Sequence, residues 1–196
     1  MNVKEFGPRV RYIWYDERTP MAMKHDDAVK LAQGDVLCHF DDDDWSAPMR
    51  LTRQLEAIVL QDAHIVGLKL GYVLVKGQWM VFDHTGLKPP PDGVIGPVGN
   101  SLGGKLLGYH DGTAMFKRSV VGESSYGTHA VSQKVVFLNL LAAKQGVKTV
   151  VMDNQGLFIY VRHDKNTWQF GKALKLKPVA GPRFFPADDL EFYRSA

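Results

Sequence analysis

The spacing of apolar positions changes several times along the chain, and each change predicts an element. Residues 9–15, "RVRYIWY", are β-branched and aromatic and predict a strand, which "DERTP" breaks. Residues 21–33 set Ala22, Val29, Leu31 and Ala32 among polar neighbours and run into Gly34, the pattern of a helix with a glycine stop. Residues 35–40 carry Val36, Leu37 and Phe40 and predict a short interior strand. In residues 47–60, Leu51, Leu55 and Ile58 recur at helical spacing, with Ser46 as the cap and Pro48 in the first turn. Residues 63–82 predict strands with a turn at Lys76 and Gly77. Residues 83–105 are rich in Gly and Pro and predict a long irregular loop, of the kind that binds something or is disordered. Further strands are predicted over 112–118, 147–153 and 157–163. Residues 128–145 predict a helix with Val131, Val135, Leu138, Leu141 and Ala142 on one side, ended by Gly146. Two short helices are predicted in the tail, near Trp168 and over 188–193.

The order β-α-β-α-β, then hairpin-like strands and a late helix, predicts an α/β protein, a three-layer α/β/α sandwich around a mixed sheet. No internal repeat or boundary divides it. We expect one domain over 1–170 and a tail with short helices over 171–196. Composition narrows the function classes. A net charge of +3 with scattered basic residues argues against a nucleic-acid partner; only "KALKLK" forms a weak cluster. The single cysteine, Cys38, excludes an internal disulfide framework and suits a reducing compartment. The N-terminus lacks the apolar stretch of a secretion signal, and no apolar run approaches the about 20 residues of a membrane span. The expectation is a soluble, cytoplasmic protein with no transmembrane segment.

Chemistry concentrates where "GDVLCHF" runs into "DDDDW". Carboxylates set side by side repel, and burying them costs more still. Ligands of open α/β sheets bind at the carboxyl ends of strands, which is where Asp41 to Asp44 fall. A hard divalent cation needs oxygen ligands and relieves the repulsion. Mg²⁺ takes one or two protein carboxylates and completes its shell with water and phosphate oxygens, so this turn suits a phosphorylated substrate. Alternate residues of an extended stretch share a face, so Asp41 and Asp43 point together. We expect Asp43 to contact the metal directly and Asp41 to make a water-mediated or ribose contact. The alternative is a solvated acidic turn whose Asp44 caps the next helix.

The stretch "AQGDVLCHFDDDDWSAPMRLTRQ" resembles the core signature of the inverting nucleotide-sugar glycosyltransferases of the GT-A fold, family two. Ala32, Gly34, Asp35, Asp41, Asp43, Asp44, Pro48, Arg50, Leu51 and Gln54 fall on that signature. "MKHDDAVKLAQG" resembles the family's preceding helix, with His25 and Asp26 in place of Arg and Asn. "GYHDGTAMFKRSV" resembles the glycine loop and strand facing acceptor and donor sugar, which carries Gly112 and Thr113. "LFIYVRHDKNTWQF" resembles a C-terminal strand of a subset of the family. The resemblance implies a GT-A-like, Rossmann-like fold and a metal-dependent transfer of a sugar from a nucleotide diphosphate donor to a saccharide or other hydroxyl acceptor. It implies Mn²⁺ or Mg²⁺ at Asp43, Asp41 and His163, and donor contacts from Asp41, Asp43, Gly112, Thr113 and Trp168. A carboxylate base would take the acceptor proton as the hydroxyl attacks the anomeric carbon.

Two departures qualify that picture. The family opens with strands that hold the base and ribose, whereas this chain begins at what resembles the third strand, an N-terminally reduced form. The edge of "RVRYIWY" then calls for cover from a partner chain, a homo-oligomer or a missing segment. The family also carries its base in a Glu-Asp pair at the start of the late helix, where this chain has Gln133 and Lys134. Asp111, Glu123 and His129 are the substitute candidates; each has a plainer role as turn, helix-end or cap-region residue. Two other function classes stay open: a glycosyltransferase-like binding domain without activity, and a metal-dependent nucleotidyl or phosphotransfer enzyme. Among the remaining residues, Trp45 and Cys38 are expected in the core, Arg50 to pair with a phosphate or to lock Asp44, and Lys24 to meet a diphosphate or solvent. His25, Asp26 and Asp27 are neighbours on a helix and splay apart, which weighs against a shared metal.

Overall fold

The structure, a computed structural model, describes residues 10–82, 109–127, 133–163 and 176–186, together with Asp189 and Tyr193. Its helices are α1 (Met21–Leu31), α2 (Arg50–Leu60) and α3 (Gln133–Ala142). The strands begin with β1 (Val36–Cys38), β2 (Trp45–Ser46), β3 (Ile65–Leu68), β4 (Tyr72–Val75) and β5 (Gln78–Phe82). They continue with β6 (Met115–Lys117), β7 (Thr149–Met152), β8 (Phe158–Arg162) and β9 (Leu176–Pro178). The predicted loop over 83–105, the start of the predicted helix over 128–145 and the predicted helix near Trp168 lie outside the described residues.

Two mixed sheets carry the fold. The first has the order β1-β6-β3-β7, with β3 and β7 parallel and β6 antiparallel to both β1 and β3. Side-chain alternation sorts its residues onto two faces. Leu37, Ile65, Phe116 and Val151 face α1 and α3, packing with Ala22, Phe137, Leu138 and Leu141. Val36, Cys38, Val66, Met115 and Val150 face α2, packing with Ala57 and Ile58. This gives the anticipated three layers, helices on both faces of a mixed sheet. Phe137, Leu138 and Leu141 are fully buried, and truncating any one to alanine costs about 2–5 kcal/mol. The second sheet has the order β2-β8-β4-β5-β9, with β4 and β8 parallel. The β4–β5 hairpin turns at Lys76 and Gly77, both at positive φ (48° and 77°), which matches the twist of the flanking strands.

Three local expectations are corrected. Residues 10–15 form no strand: Tyr12 and Trp14 are exposed, and Arg11 and Tyr15 bond to Leu31 and Asp27 of α1 instead. Strand propensity is realised only against a neighbouring ladder, and among the described residues β1 pairs with β6 alone. Helix α2 starts at Arg50 rather than at residue 47, and Ser46 does not cap it. Ser46 is instead paired in β2, and its hydroxyl accepts from Arg50 Nη1 at 2.8 Å. In the tail, β9 was not anticipated. It is three residues long, carries Lys177 and Pro178, and pairs antiparallel with β5, the composition of an edge strand.

Candidate functional site

The acidic turn joins the two sheets. It leaves the end of β1, and β2 then pairs antiparallel with β8 (Trp45 opposite Ile159, Ser46 opposite Phe158). That ladder carries the end of β8, with His163, up to the aspartates. His163 Nε2 lies 3.2 Å from Asp43 Oδ2, so residues 120 positions apart in sequence meet at one point. Asp44 turns inward: its Oδ1 accepts from Val161 N–H at 2.9 Å, while Oδ2 is buried without a hydrogen-bond partner. Burial pushes the Asp44 carboxyl well above the usual range; the Val161 N–H works against this, and the nearby Asp41 and Asp43 charges reinforce it. Asp44 therefore neither caps α2 nor pairs with Arg50.

Asp41 pairs instead with the ammonium of Lys134, in the first turn of α3. Both are largely buried, with side-chain exposures of 30% and 10%. Burial raises the Asp41 pKa, but the charge and hydrogen bond of Lys134 outweigh it and hold the carboxyl below its usual range. The other carboxylate oxygen rests against Gly112. A Cβ there would stand 2.7 Å from Asp41 Oδ2 and 3.2 Å from His110 Nδ1, so only glycine leaves Asp41 its place.

Below this pair lies a buried imidazole cluster. Tyr126 O–H donates to His39 Nε2 at 2.6 Å, and His39 Nδ1–H donates to the Asp111 carbonyl at 3.0 Å, which fixes a neutral tautomer. Burial, reinforced by the Lys134 charge, brings the His39 pKa down to about 4. His25 is also lowered, by burial and then by Lys134; its ring lies 4.9 Å from Tyr126 and 5.8 Å from His39. His110 is lowered by burial and packs on Phe158 and Tyr160. Asp111 sits at the lip of the cluster, 29% exposed, with Oδ1 3.8 Å from His110 Nδ1.

Arg50 ties these loops together. It is 1% exposed, and its Nη2 donates to the carbonyls of His39 (2.8 Å) and Gly112 (3.0 Å). Its Nε donates to Gln54, whose amide donates to the Thr113 carbonyl at 2.8 Å. A buried guanidinium is tolerable only when its donors are used. Here they fasten the strand end carrying Asp41 to the turn carrying Gly112.

The predicted site residues thus separate. Asp41, Asp43, Gly112, Asp111 and His163 surround the acidic turn. Thr113 is fully buried, with its hydroxyl donating to the His110 carbonyl at 2.6 Å and accepting from Leu68 N–H at 2.9 Å. Glu123 lies in an exposed turn whose start is held by Lys144, beyond the C-terminal end of α3, whereas Asp41 is held at its N-terminal end. Trp168 and His129 lie outside the described residues. Lys24 stands over the Tyr15 ring, Trp45 is buried with Nε1 donating to Asp189, and Cys38 is half-buried against Arg50. His25, Asp26 and Asp27 splay as expected: Asp26 accepts from Tyr126 N–H and Asp27 from Tyr15 O–H. Sequence reading missed Lys134 as the partner of Asp41, and His39 with Tyr126. Their only sequence signals were a lysine displacing an expected carboxylate and a histidine inside an apolar strand.

A family model described as Glycosyl transferase family 2 matches residues 2–124, more than half of the chain. The chain belongs to glycosyl transferase family 2. The match covers α1, the acidic turn, Arg50 and the Gly112 turn; Lys134 and His163 lie beyond it. No curated protein matches the chain. Membership of the family carries glycosyltransferase activity in general, with a nucleotide-sugar donor and an acceptor. Among the described residues, no helix is long and apolar enough to cross a membrane. Members of the family commonly use divalent metals. Among the described residues no group of three or more His, Cys, Asp or Glu side chains stands together to hold one. The donor chemistry at Asp43 and His163, a carboxylate oxygen and an imidazole nitrogen in contact, fits a divalent cation that takes its other ligands from water and phosphate.

Proposed function

We propose that this domain transfers a sugar from a nucleoside-diphosphate donor to a hydroxyl acceptor by direct displacement, with Mn²⁺ or Mg²⁺ at the acidic turn. The observation that supports it most is the Asp43–His163 contact, which joins the ends of β1 and β8 at the rim of the sheets. Asp43 and His163 would hold the cation there, and it would supply positive charge to offset the leaving diphosphate. Asp41, fixed by Lys134 and Gly112, faces the donor's ribose and phosphates, and Trp168 offers a flat face to a sugar ring. Asp111, at the exposed lip, receives the acceptor's proton; Glu123, the other carboxylate considered for that role, lies toward the far end of α3 from Asp41. As the acceptor oxygen bonds to the anomeric carbon, the bond from that carbon to the diphosphate oxygen breaks, and its electron pair leaves with the diphosphate. Lys134 cannot serve as the base while its ammonium is paired with Asp41.

Calorimetry of UDP, GDP and CMP with Mn²⁺, repeated with Asp43→Ala, tests the binding half of this reading. Metal-dependent binding that disappears in the variant is expected, and no binding to any nucleotide refutes it. Release of nucleoside diphosphate with acceptor present, reduced at least about 100-fold in Asp111→Asn, tests the base. The Lys134–Asp41 pair favours a second reading, a domain that binds the donor without turning it over. Nucleotide binding without any release of nucleoside diphosphate is its signature.

A further inference from the structure

We propose that Lys134 is the resident cation of the acidic turn: its ammonium neutralises Asp41 permanently, so that a divalent ion enters at Asp43 and His163 only together with a diphosphate. This rests on the metal reading above and concerns what sets the affinity of that site. Asp41 and Asp43 share a face in the sequence pattern, yet the fold separates their partners. Asp41 is clamped between Lys134 of α3 and Gly112, where a Cβ would stand 2.7 Å from the carboxylate. Asp43 meets His163 of β8 at 3.2 Å. Asp44 is turned toward Val161. A lysine ammonium and a divalent ion compete for the same carboxylate, because each neutralises it and both cannot approach it without mutual repulsion. With Asp41 engaged, the described residues offer a divalent ion one carboxylate and one imidazole, too few to hold it tightly, and phosphate oxygens complete the set. Metal and diphosphate then bind with positive coupling, each raising the affinity of the other by the same factor.

The test is manganese binding followed by electron paramagnetic resonance, with and without UDP, on the unmodified chain, Lys134→Met, Lys134→Gln and the double variant Lys134→Met, Asp41→Asn. In the unmodified chain UDP is expected to tighten Mn²⁺ binding at least about ten-fold. In both single variants Asp41 is released, and Mn²⁺ alone is expected to bind at least about ten-fold more tightly than to the unmodified chain. The double variant is expected to lose that gain. Two results would overturn the proposal while leaving the metal reading intact: tight Mn²⁺ binding to the unmodified chain without UDP, or no gain for Mn²⁺ alone in the Lys134 variants while the unmodified chain binds it with UDP. Absence of Mn²⁺ binding under every condition would sink the metal reading, and the proposal with it. If Lys134→Met fails to fold, Lys134→Gln and the UDP coupling in the unmodified chain still decide the matter.

Discussion

Acidifying the solution is expected to destabilise this domain through His39. In the unfolded chain that imidazole takes its proton near its ordinary pKa of 6.5; in the fold the pKa is about 4. Burial is the main cause and the Lys134 charge adds to it. Between those two values the unfolded chain binds the extra proton, so stability rises with pH and is lost as pH falls. The gap between 6.5 and about 4, at about 1.4 kcal/mol for each factor of ten, is worth about 3 kcal/mol in full. About 2 kcal/mol of it is gone by about pH 5. The bond from Nδ1–H to the Asp111 carbonyl works the other way, because it serves the charged ring as well as the neutral one, but it does not offset burial. His25 and His110 are lowered too and act in the same direction, while Asp44, raised by burial, opposes them. The comparison must therefore isolate one residue. In His39→Gln the amide replaces both hydrogen bonds and cannot be charged. Urea unfolding followed by tryptophan fluorescence at about pH 7.5 and about pH 5 should show the unmodified chain losing about 2 kcal/mol more than the variant. Equal losses in the two proteins would refute the reasoning.

Two further perturbations probe the framework around the turn. Arg50→Met leaves the His39 and Gly112 carbonyls without their donor and should cost about 3–5 kcal/mol in urea unfolding; Arg50→Lys should recover little, because an ammonium cannot reproduce the fork. Gly112→Ala places a Cβ 2.7 Å from Asp41 Oδ2 and must move that carboxylate, so UDP binding with Mn²⁺ should weaken about ten-fold in calorimetry while the melting temperature changes by only a few degrees.

Elements with strong local periodicity and a tertiary partner were legible in the sequence. Helix α1 follows from Ala22 and Val29 facing the core, and β1 from the apolar run before the aspartates. What escaped depends on contacts distant in the chain. Residues 10–15 have strand composition but no ladder beside them, so their aromatic rings lie exposed against α1. Ser46 has the chemistry of a helix cap, but β8 captures it and Arg50 uses its hydroxyl. In the site, the glycine of the "DGT" turn and the acidic run were readable as types. That Gly112 abuts Asp41, and that Lys134 reaches it from 93 positions away, depends on how α3 docks on the sheet.

The question raised by four adjacent aspartates also receives a different answer from the one local reasoning supplies. A single metal ion need not relieve all their repulsion, because the fold gives each carboxylate its own environment. Asp41 has the Lys134 ammonium, Asp42 is exposed to water, Asp43 meets His163, and Asp44 is half-buried, bonded to Val161 N–H and held to its proton at higher pH than usual. Dividing the charge in this way means the turn can fold without an ion present. On the reading proposed above, an arriving cation would find part of the negative charge already balanced. Its affinity would then depend on the charge of the phosphates that come with it, and the lysine in the first turn of α3 would bear on ligand binding as directly as the aspartates.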